Sequence, residues 1–446
     1  MPHLRLFTFL LLSLPTILFA QVPAPAPPQS QPILLLGGTA HLGTGEAIEN
    51  SAVAFTDGQL TAVGTASSIP DSERSSYQII DVSGQHIYPG LILPDTDLGL
   101  VEINAVRATV DNAEAGTLNP NVRSIISYNT DSELIPTFRF NGILLAQIVP
   151  QSGLMPGTSS VVQLDAWNWE DAAVATDDAL HLHWPSRFGR KFNFVTFTVE
   201  RERNENYDEQ LRAVRSLFAD AQAYIATDPE TPNLKLEALR SLLNGSQTLF
   251  LHSDDAREIM EAVLFAEEYG VKKIVLVGGG GLLAVRDFIQ ERQLPVVIEN
   301  VHQLPPHPDS PVDALYSLAN DLQQAGILVS LAYNEGMTAR SRSLAFLAGT
   351  AAAYGLDKEE ALKLITANTA QILGIADRVG TLEVGKQATL FVSAGDALDM
   401  RTNRLTHAFI NGRQITLPAM QQELYQKYKT KYENDPDVPA SGRSGE

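Results

Sequence analysis

The middle of the chain alternates between short apolar runs and longer segments with a helical period. The run at 248–251 is continuously apolar and ends at His252, and the segment 256–264 repeats apolar residues every three to four positions. A second apolar run follows at 274–277. Strands that alternate with helices favour a parallel sheet. The pattern therefore predicts an α/β fold of the (β/α)8 TIM-like barrel type over residues 91–377.

The regions on either side of this segment have a different pattern. Residues 33–90 and 378–417 contain short apolar patches that are separated by glycine turns. Asn411-Gly412 in the second region is a strong signal for a hairpin turn. Both regions are therefore predicted to form short β-strands rather than helices.

The N-terminal segment predicts export, and the C-terminal segment predicts a helix outside the barrel. A positive charge followed by an apolar run at 6–19 and by Ala20 has the form of a signal peptide over residues 1–20. Residues 21–32 contain five prolines, which predicts an extended, unpacked tether. The mature protein is therefore expected to be periplasmic or secreted. Residues 418–446 predict a C-terminal helix followed by a frayed polar tail.

Composition limits the class of partner. The formal net charge of −20 predicts an acidic surface that repels phosphate backbones and anionic bilayers, which argues against nucleic-acid binding. No segment after the signal peptide is long and apolar enough to predict a membrane span. The absence of cysteine excludes a disulfide framework. A small-molecule substrate or ligand of unknown identity is the expected partner, and the composition is compatible with a homo-oligomer.

The most informative motif lies where the first barrel strand is predicted to end. The apolar run at 91–93 leads to Asp95 and Asp97, and residues two apart on a strand point the same way, so the two carboxylates are expected side by side. This segment resembles the first barrel strand of the amidohydrolase superfamily, whose members carry His-x-His there. The segment 380–392, GTLEVGKQATLFV, resembles that superfamily's GxLxxGKxADLVV, and 343–368 is similar to the imidazolonepropionase-like branch.

The resemblance implies a fold and a chemistry. It implies that both chain ends, 33–90 and 378–417, build one composite β-sandwich beside the barrel. It also implies metal-dependent hydrolysis of C–N bonds other than peptide bonds, in which a metal lowers the pKa of a bound water.

The ligand positions that the resemblance implies can be carried over one by one. In chain order they fall at Asp95 and Asp97 on the first strand, Gln163 as a weak candidate for the fourth, His252 on the fifth, Gly278 on the sixth and Asn334 on the eighth. Only His252 keeps the family's residue type, so a zinc site of imidazoles is not expected. Asp95, Asp97 and Asn334 offer oxygens, which Mg²⁺, Mn²⁺ or Ca²⁺ prefer. With His252, they are the candidate catalytic and metal-binding residues.

Other candidate residues have plainer interpretations. His181 and His183 have ligand spacing, but a polar loop segment is the favoured interpretation. The glycine run at 278–281 is expected to form a tight strand-to-helix turn rather than an anion-binding loop. His302 and Glu335 are interpreted as solvated loop residues.

Two functions from different classes remain open. The first is an exported hydrolase of non-peptide C–N bonds with a remodelled, oxygen-rich metal site. The second is a catalytically inactive pseudoenzyme that keeps the barrel as a ligand-binding or partner-docking scaffold. The replaced ligands favour the second function, whereas the family resemblance favours the first.

Overall fold

The structure is a computed structural model that describes residues 24–193, 197–227, 229–305, 310–333, 338–417 and 419–433. Several predicted features lie outside the described residues, namely the signal peptide at 1–20, the candidate ligand Asn334, its neighbour Glu335 and the tail at 434–446.

The strands of the described residues, numbered in chain order, are β1 Ile33–Leu36, β2 Thr39–His41, β3 Ala47–Ile48, β4 Ser51–Thr56, β5 Gln59–Thr65, β6 Gln78–Asp81, β7 His86–Pro89, β8 Leu91–Thr96, β9 Ile143–Ile148, β10 Gly157–Thr158, β11 Ser160–Gln163, β12 Ala173–Ala175, β13 Ala179–His183, β14 Phe188–Asn193, β15 Thr198–Arg203, β16 Thr248–His252, β17 Ile274–Gly278, β18 Val296–Ile298, β19 Val329–Leu331, β20 Leu390–Ser393, β21 Leu405–Ile410 and β22 Arg413–Gln414.

The α-helices of the same residues are α1 Asp71–Arg74, α2 Ile135–Arg139, α3 Trp169–Ala172, α4 Tyr207–Thr227, α5 Leu234–Glu237, α6 Arg240–Leu243, α7 Ala256–Glu268, α8 Gly281–Ala284, α9 Arg286–Glu291, α10 Ala314–Gln324, α11 Leu344–Ala353, α12 Lys358–Lys363, α13 Ala367–Ile372 and α14 Met420–Glu433. Short 3₁₀ turns occur at Ala66–Ser68, Arg107–Thr109, Ser124–Ser127 and Thr338–Ser343.

Two sheets form the centre of the fold. In the larger sheet, β13, β16, β17, β18 and β19 run parallel side by side, and β10 pairs antiparallel with β13 at one edge. In the other sheet, β8 and β9 are parallel, and β11 and β12 continue it antiparallel. Helices such as α7 and α10 connect successive parallel strands. The predicted mixed α/β fold is therefore confirmed.

Helix α7 shows how the sequence sets one of these connections. The side chain of Asp255 caps its N-terminus by accepting two backbone N–H groups of the first turn. The buried face consists of Ile259, Ala262, Val263, Phe265 and Ala266. Met260 and Leu264 belong to the predicted apolar stripe but are exposed. The helical period is thus as predicted, while the buried face is rotated toward Phe265.

The two glycine-punctuated regions meet in one sheet. Its strand order is β22-β21-β20-β7-β2-β3, so one half of the sheet comes from each end of the chain, and the halves join where β7 pairs antiparallel with β20. A second sheet has the order β5-β4-β1-β6. Leu35 and Phe55 of this sheet share a buried cluster with Ile87, Leu390 and Phe409 of the first. The rings of Phe55 and Phe409 meet edge to face at 5.0 Å, so the two sheets have a common core.

A buried carboxylate fastens the N-terminal segment to the body. Asp165 accepts hydrogen bonds from Arg139 (2.7 Å), from Arg413 (2.7 Å) and from the backbone N–H of Ala26 (3.0 Å). Arg413 also donates to the carbonyl oxygen of Ala26. The expectation of an unpacked tether is therefore corrected at Ala26, because charge-assisted hydrogen bonds to a buried group offset the entropy lost on ordering the segment.

Helix α14 lies at the periphery, and none of its residues is buried. Its tyrosines are exposed, and Tyr425 is 59% accessible. Thr137 on α2 donates a hydrogen bond to Gln421 (2.9 Å) near the start of α14. Within the described residues, no helix has the length and apolar character needed to cross a bilayer.

The Asp165 cluster makes a prediction about stability. Asp165→Asn would leave the buried guanidinium of Arg139 without its charged partner, so the free energy of unfolding should fall by about 3–5 kcal/mol. Asp399→Asn is the control, because Asp399 pairs with Arg401 at the surface and its loss should change stability little. Urea unfolding measures both variants, and equal losses would contradict this account.

Candidate metal centre

Strand β13 brings two histidines into the central sheet. Its parallel register with β16 places His181 opposite Phe250 and His183 opposite His252. His181 and the apolar residues of the strand are fully buried. The expectation that His181 and His183 lie in a polar loop is therefore wrong. The alternation of the sequence Ala-Leu-His-Leu-His was the available signal, with histidines in positions that apolar residues usually fill.

Three buried side chains from three strands converge at this point. His181 Nδ1 lies 2.9 Å from His252 Nε2, and His252 Nδ1 lies 4.0 Å from Asp95 Oδ2. One ligand atom from each of Asp95, His181 and His252 lies within 4.8 Å of the other two. The ring of His183 stacks on that of His252 with centroids 4.2 Å apart, which restrains the His252 ring. The structure thus brings the predicted residues Asp95 and His252 together and adds His181.

Burial keeps the three imidazoles neutral. It lowers the pKa of His252 to about 3. Burial and the neighbouring His252 lower the pKa of His183 to about 3, and the same two causes hold the pKa of His181 well below its usual range. Neutral imidazole is the form that binds a metal ion. These rings can therefore offer lone pairs, but they carry no positive charge near Asp95.

The carboxylate of Asp95 lacks a partner that would justify its burial. Its side chain is 0% exposed, and among the described residues neither oxygen has a hydrogen-bond partner. An ionised carboxylate in such a position is strongly unfavourable unless it is paired or binds a metal. A divalent cation would satisfy the carboxylate and the two imidazole nitrogens together. Asp95, His181 and His252 therefore fit a metal site.

Asp97 has different surroundings from Asp95. Its Oδ1 accepts a hydrogen bond from Thr338 Oγ1 (2.6 Å), and its Oδ2 accepts one from Asn112 Nδ2 (3.0 Å). The group of converging ligand atoms includes Asp95 but not Asp97. The side-by-side arrangement assumed an unbroken strand, whereas the register of β8 against β9 shifts near the end of β8. Strand alternation therefore fails at this point.

The end of β17 has no room for a ligand side chain. A Cβ on Gly278 would collide with the carbonyl oxygen of Ser253, and one on Gly281 would collide with that of Asp254. Asp254 Oδ1 also accepts a hydrogen bond from the N–H of Gly279 (2.6 Å). The glycine run therefore packs directly on the turn after β16. This close approach explains why glycine occupies the position where the resemblance implies a histidine.

Two other candidate residues are engaged elsewhere. Gln163 Nε2 donates to the carbonyl oxygen of Asp171 (2.7 Å), and its Oε1 accepts from Asn411 (2.7 Å), so both ends of the amide are used. His302 is exposed, and its Nε2 lies 2.7 Å from Thr350 Oγ1. The histidine that joins His252 comes instead from β13, the strand beside β16.

A polar network that the sequence did not predict lies beside Asp95. Gln147 is fully buried on β9, and its Oε1 accepts the backbone N–H of Asp95 (3.2 Å). Its Nε2 donates to Ser159 Oγ (3.1 Å) and to Asp178 Oδ2 (2.8 Å), while Ser159 Oγ donates to Asp178 Oδ1 (2.9 Å). Burial raises the pKa of Asp178 to about 6, although the hydrogen bonds from Gln147 and Ser159 act to lower it. A lone glutamine within the apolar run of β9 was the available signal.

The packing at Gly278 predicts a large effect of one methyl group. In Gly278→Ala the added Cβ overlaps backbone, so the free energy of unfolding should fall by about 1–3 kcal/mol. Gly189→Ala is the matched control, because a Cβ at Gly189 meets no atom within 4 Å. Urea unfolding compares the variants. Parental stability in Gly278→Ala would show that this strand end can accept a side chain.

The raised pKa of Asp178 predicts a pH dependence of defined sign. Its folded pKa of about 6 lies above the ordinary value of 3.8, so the folded protein holds the extra proton between these values. The contribution of Asp178 to stability is therefore full below the ordinary pKa and is lost as pH rises through about 6. Asp178→Asn removes this dependence. The difference in free energy of unfolding, variant minus parent, should therefore increase from about pH 4 to about pH 7. A constant difference in urea unfolding would contradict the assignment.

Comparison with known protein families gives one partial match. Residues 311–415 match the model of the amidohydrolase family. No curated protein matches the sequence significantly.

Solved structures share the fold over most of the chain. An amidohydrolase from Thermotoga maritima MSB8 is similar with a TM-score of 0.74 and 22% identity, over 86% of this chain and 99% of that chain. A prolidase complexed with N-methylphosphonate-L-proline gives a TM-score of 0.51 and 16% identity over 86% and 99% of the two chains. An adenosine deaminase from Xanthomonas campestris with bound zinc gives 0.51 and 15% over 91% and 98%. The predicted resemblance to the amidohydrolase superfamily is thereby confirmed, and the chain has the fold of an amidohydrolase.

Proposed function

We propose that this protein is a metal-dependent amidohydrolase that hydrolyses C–N bonds other than peptide bonds, with one divalent cation held by Asp95, His181 and His252. The observation that carries the proposal is the fully buried Asp95 carboxylate, whose oxygens have no hydrogen-bond partner among the described residues and which lies beside two neutral imidazoles. Membership of the imidazolonepropionase-like branch is part of the proposal and rests on sequence similarity alone.

The donor set favours a cation that accepts imidazole. Two nitrogens and one carboxylate oxygen are typical of catalytic zinc sites, and imidazole also suits iron. The preference for Mg²⁺, Mn²⁺ or Ca²⁺ that the sequence suggested rested on three oxygen donors, Asp95, Asp97 and Asn334. Asp97 is bonded to Thr338 and Asn112, and Asn334 lies outside the described residues. We therefore expect zinc or a similar transition metal.

The residues of the chain have separate tasks in this proposal. When bound, the cation would supply Lewis-acid activation of water and of the scissile carbonyl. Asp95 balances part of its charge, and the neutral rings of His181 and His252 leave a lone pair free for it. The His183 ring holds His252 by stacking. Asp97 links the loops that contain Asn112 and Thr338 beside the end of β8, which limits their motion.

The architecture and location also belong to the proposal. Amidohydrolases are TIM-barrel proteins, and the two central sheets are proposed to close into such a barrel. The two outer sheets, which share a buried core, are proposed to form the composite sandwich. Export to the periplasm or the exterior is supported by the signal-like segment 1–20 of the sequence.

A scaffold without catalysis is the second candidate function. The observation that favours it is Gly278, because the close contact with Ser253 excludes a ligand side chain at a position where the family places one. The site then has three protein ligands from the described residues rather than the fuller family set. Metal binding and hydrolysis have to be measured separately to distinguish the two functions.

Metal binding by the metal-free protein is the first test. We expect one equivalent of Zn²⁺ to bind in isothermal titration calorimetry, with affinity lost in His181→Ala and His252→Ala. His302→Ala is the matched control and should bind like the parent, because His302 lies outside the cluster. Asp95→Asn should also lose affinity, yet the metal-free variant should be at least as stable as the parent because a buried unpaired charge has been removed. Absence of zinc binding by the parent would refute the proposed metal centre.

Hydrolysis is the second test. The zinc-loaded protein is incubated with a panel of N-acyl amino acids and cyclic amides, and release of the amine or ring-opened product is followed. We expect turnover of at least one class and its loss in His181→Ala, since that variant lacks a ligand. Far-UV circular dichroism checks that the variant is folded. Stoichiometric zinc without turnover of any C–N substrate would favour the scaffold function instead.

A further inference from the structure

We propose that Gln147 is a positioning residue of the metal centre and that its amide fixes the direction in which Asp95 presents its carboxylate. The proposal rests on the proposed function, because it assigns Gln147 a role toward a cation that Asp95 binds. The contact of Gln147 is with the backbone N–H of Asp95 at 3.2 Å. Gln147 therefore acts through Asp95 and not on a substrate.

The strand pairing explains why Asp95 needs such a partner. Leu93 pairs with the residue before Gln147, and Thr96 pairs with the residue after it. Pro94 and Asp95 on β8 therefore face the single residue Gln147 on β9, which is the arrangement of a β-bulge. A bulge interrupts the ladder of backbone hydrogen bonds and changes the direction of the side chains at that point.

The backbone of Asp95 is held in an unfavourable conformation. Its φ of +50° lies in the left-handed region, which residues other than glycine rarely adopt. Aspartate tolerates this region better than most residues, but such a conformation persists only where the surroundings fix it. Pro94 has no N–H to offer at the bulge, so the Asp95 N–H is the donor there, and Gln147 Oε1 is its acceptor.

The orientation of the Gln147 amide is fixed from its other end. Its Nε2 donates to Ser159 Oγ and to Asp178 Oδ2, and an ionised carboxylate such as Asp178 can only accept. The amide nitrogen must therefore face Asp178, which leaves the oxygen to face the N–H of Asp95. Gln147 is 0% exposed, so water does not compete for these bonds. The hydrogen bonds therefore run in one direction: the Asp95 N–H donates to Gln147, and Gln147 donates to Asp178.

The test begins with Gln147→Met, which keeps the length of the side chain and removes both its acceptor and its donors. We expect the zinc affinity of the metal-free protein, measured by isothermal titration calorimetry, to weaken about 10- to 100-fold, as for other residues that orient a ligand. Gln163→Met is the matched control, because it also removes two amide hydrogen bonds but lies outside the network. It should keep the parental affinity. Equal affinities of parent and Gln147→Met would overturn the proposal.

Exchanging the amide of Gln147 and the carboxylate of Asp178 distinguishes a loss of the positioning hydrogen bond from a general loss of packing. Gln147→Glu alone places a second carboxylate beside Asp178. At a pH high enough to ionise both groups, their repulsion should displace the Glu side chain and weaken zinc binding as Gln147→Met does. Combined with Asp178→Asn, the new amide can donate to the new carboxylate, which still accepts the Asp95 N–H. The double variant has the net charge of the parent, and we expect it to recover most of the parental affinity. A double variant as weak as Gln147→Met would contradict the proposed direction of these hydrogen bonds.

A crystal structure of metal-free Gln147→Met gives a readout that does not depend on metal. We expect Asp95 to leave the left-handed region when its acceptor is gone, and an unchanged Asp95 backbone would overturn the proposal even if zinc binding fell. If the parent itself bound no zinc, the proposed function would fail, while the Asp95 backbone of the variant would still decide the role of Gln147. If the parent and Gln147→Met bound zinc equally, the proposed function would stand and the positioning role would fail.

Discussion

An ionised carboxylate is rarely removed from water without a compensating charge, and Asp95 places this constraint at the centre of the molecule. Three strands, β8, β13 and β16, bring Asp95, His181 and His252 together in a region from which water is excluded. The same burial that makes the carboxylate unfavourable also lowers the pKa of the two histidines. The neutral histidines can therefore bind a cation, but they cannot themselves supply the positive charge that would balance Asp95. A divalent metal would satisfy all three groups at once.

Close backbone packing decides which strands can contribute to the site. The turn after β16 presses on the glycines that follow β17, so Gly278 cannot carry a ligand. The neighbour of β16 on the other side, β13, carries His181 in register with Phe250, and His181 reaches His252. The proposed donor set therefore lies on β8, β13 and β16 and does not extend to β17. Packing between adjacent strand ends, rather than the choice of ligand chemistry alone, shapes this centre.

The sequence predicted those features of the fold that depend on hydrophobic periodicity or on local resemblance to a known family. The alternation of strands and helices, the meeting of both chain ends and the placement of Asp95 and His252 at strand ends were all accessible from the sequence. His181 was missed although it alternates with leucines in the sequence, because only the neighbouring strands show that this histidine is buried. The sequence placed the Asp97 carboxylate beside that of Asp95, but the alternation of side chains fails at the β-bulge in β8. The bulge arises from the pairing of β8 with β9, which the sequence of β8 alone does not show. The role of Gly278 needs the three-dimensional position of Ser253, which no local pattern contains.

The distribution of unfavourable features bears on the choice between a hydrolase and a scaffold. The left-handed backbone of Asp95, its unpaired carboxylate and the buried imidazoles all lie within one small region, and Gln147 supports it from behind. A structural core gains nothing from such an arrangement, because apolar residues of similar volume would be more stable there. Strain and perturbed pKa values that cluster in this way are typical of functional sites. A scaffold that binds through its outer surface would not need them. The arrangement would become favourable with a cation bound, and this would tie the stability of the two central sheets to the chemistry proposed for them.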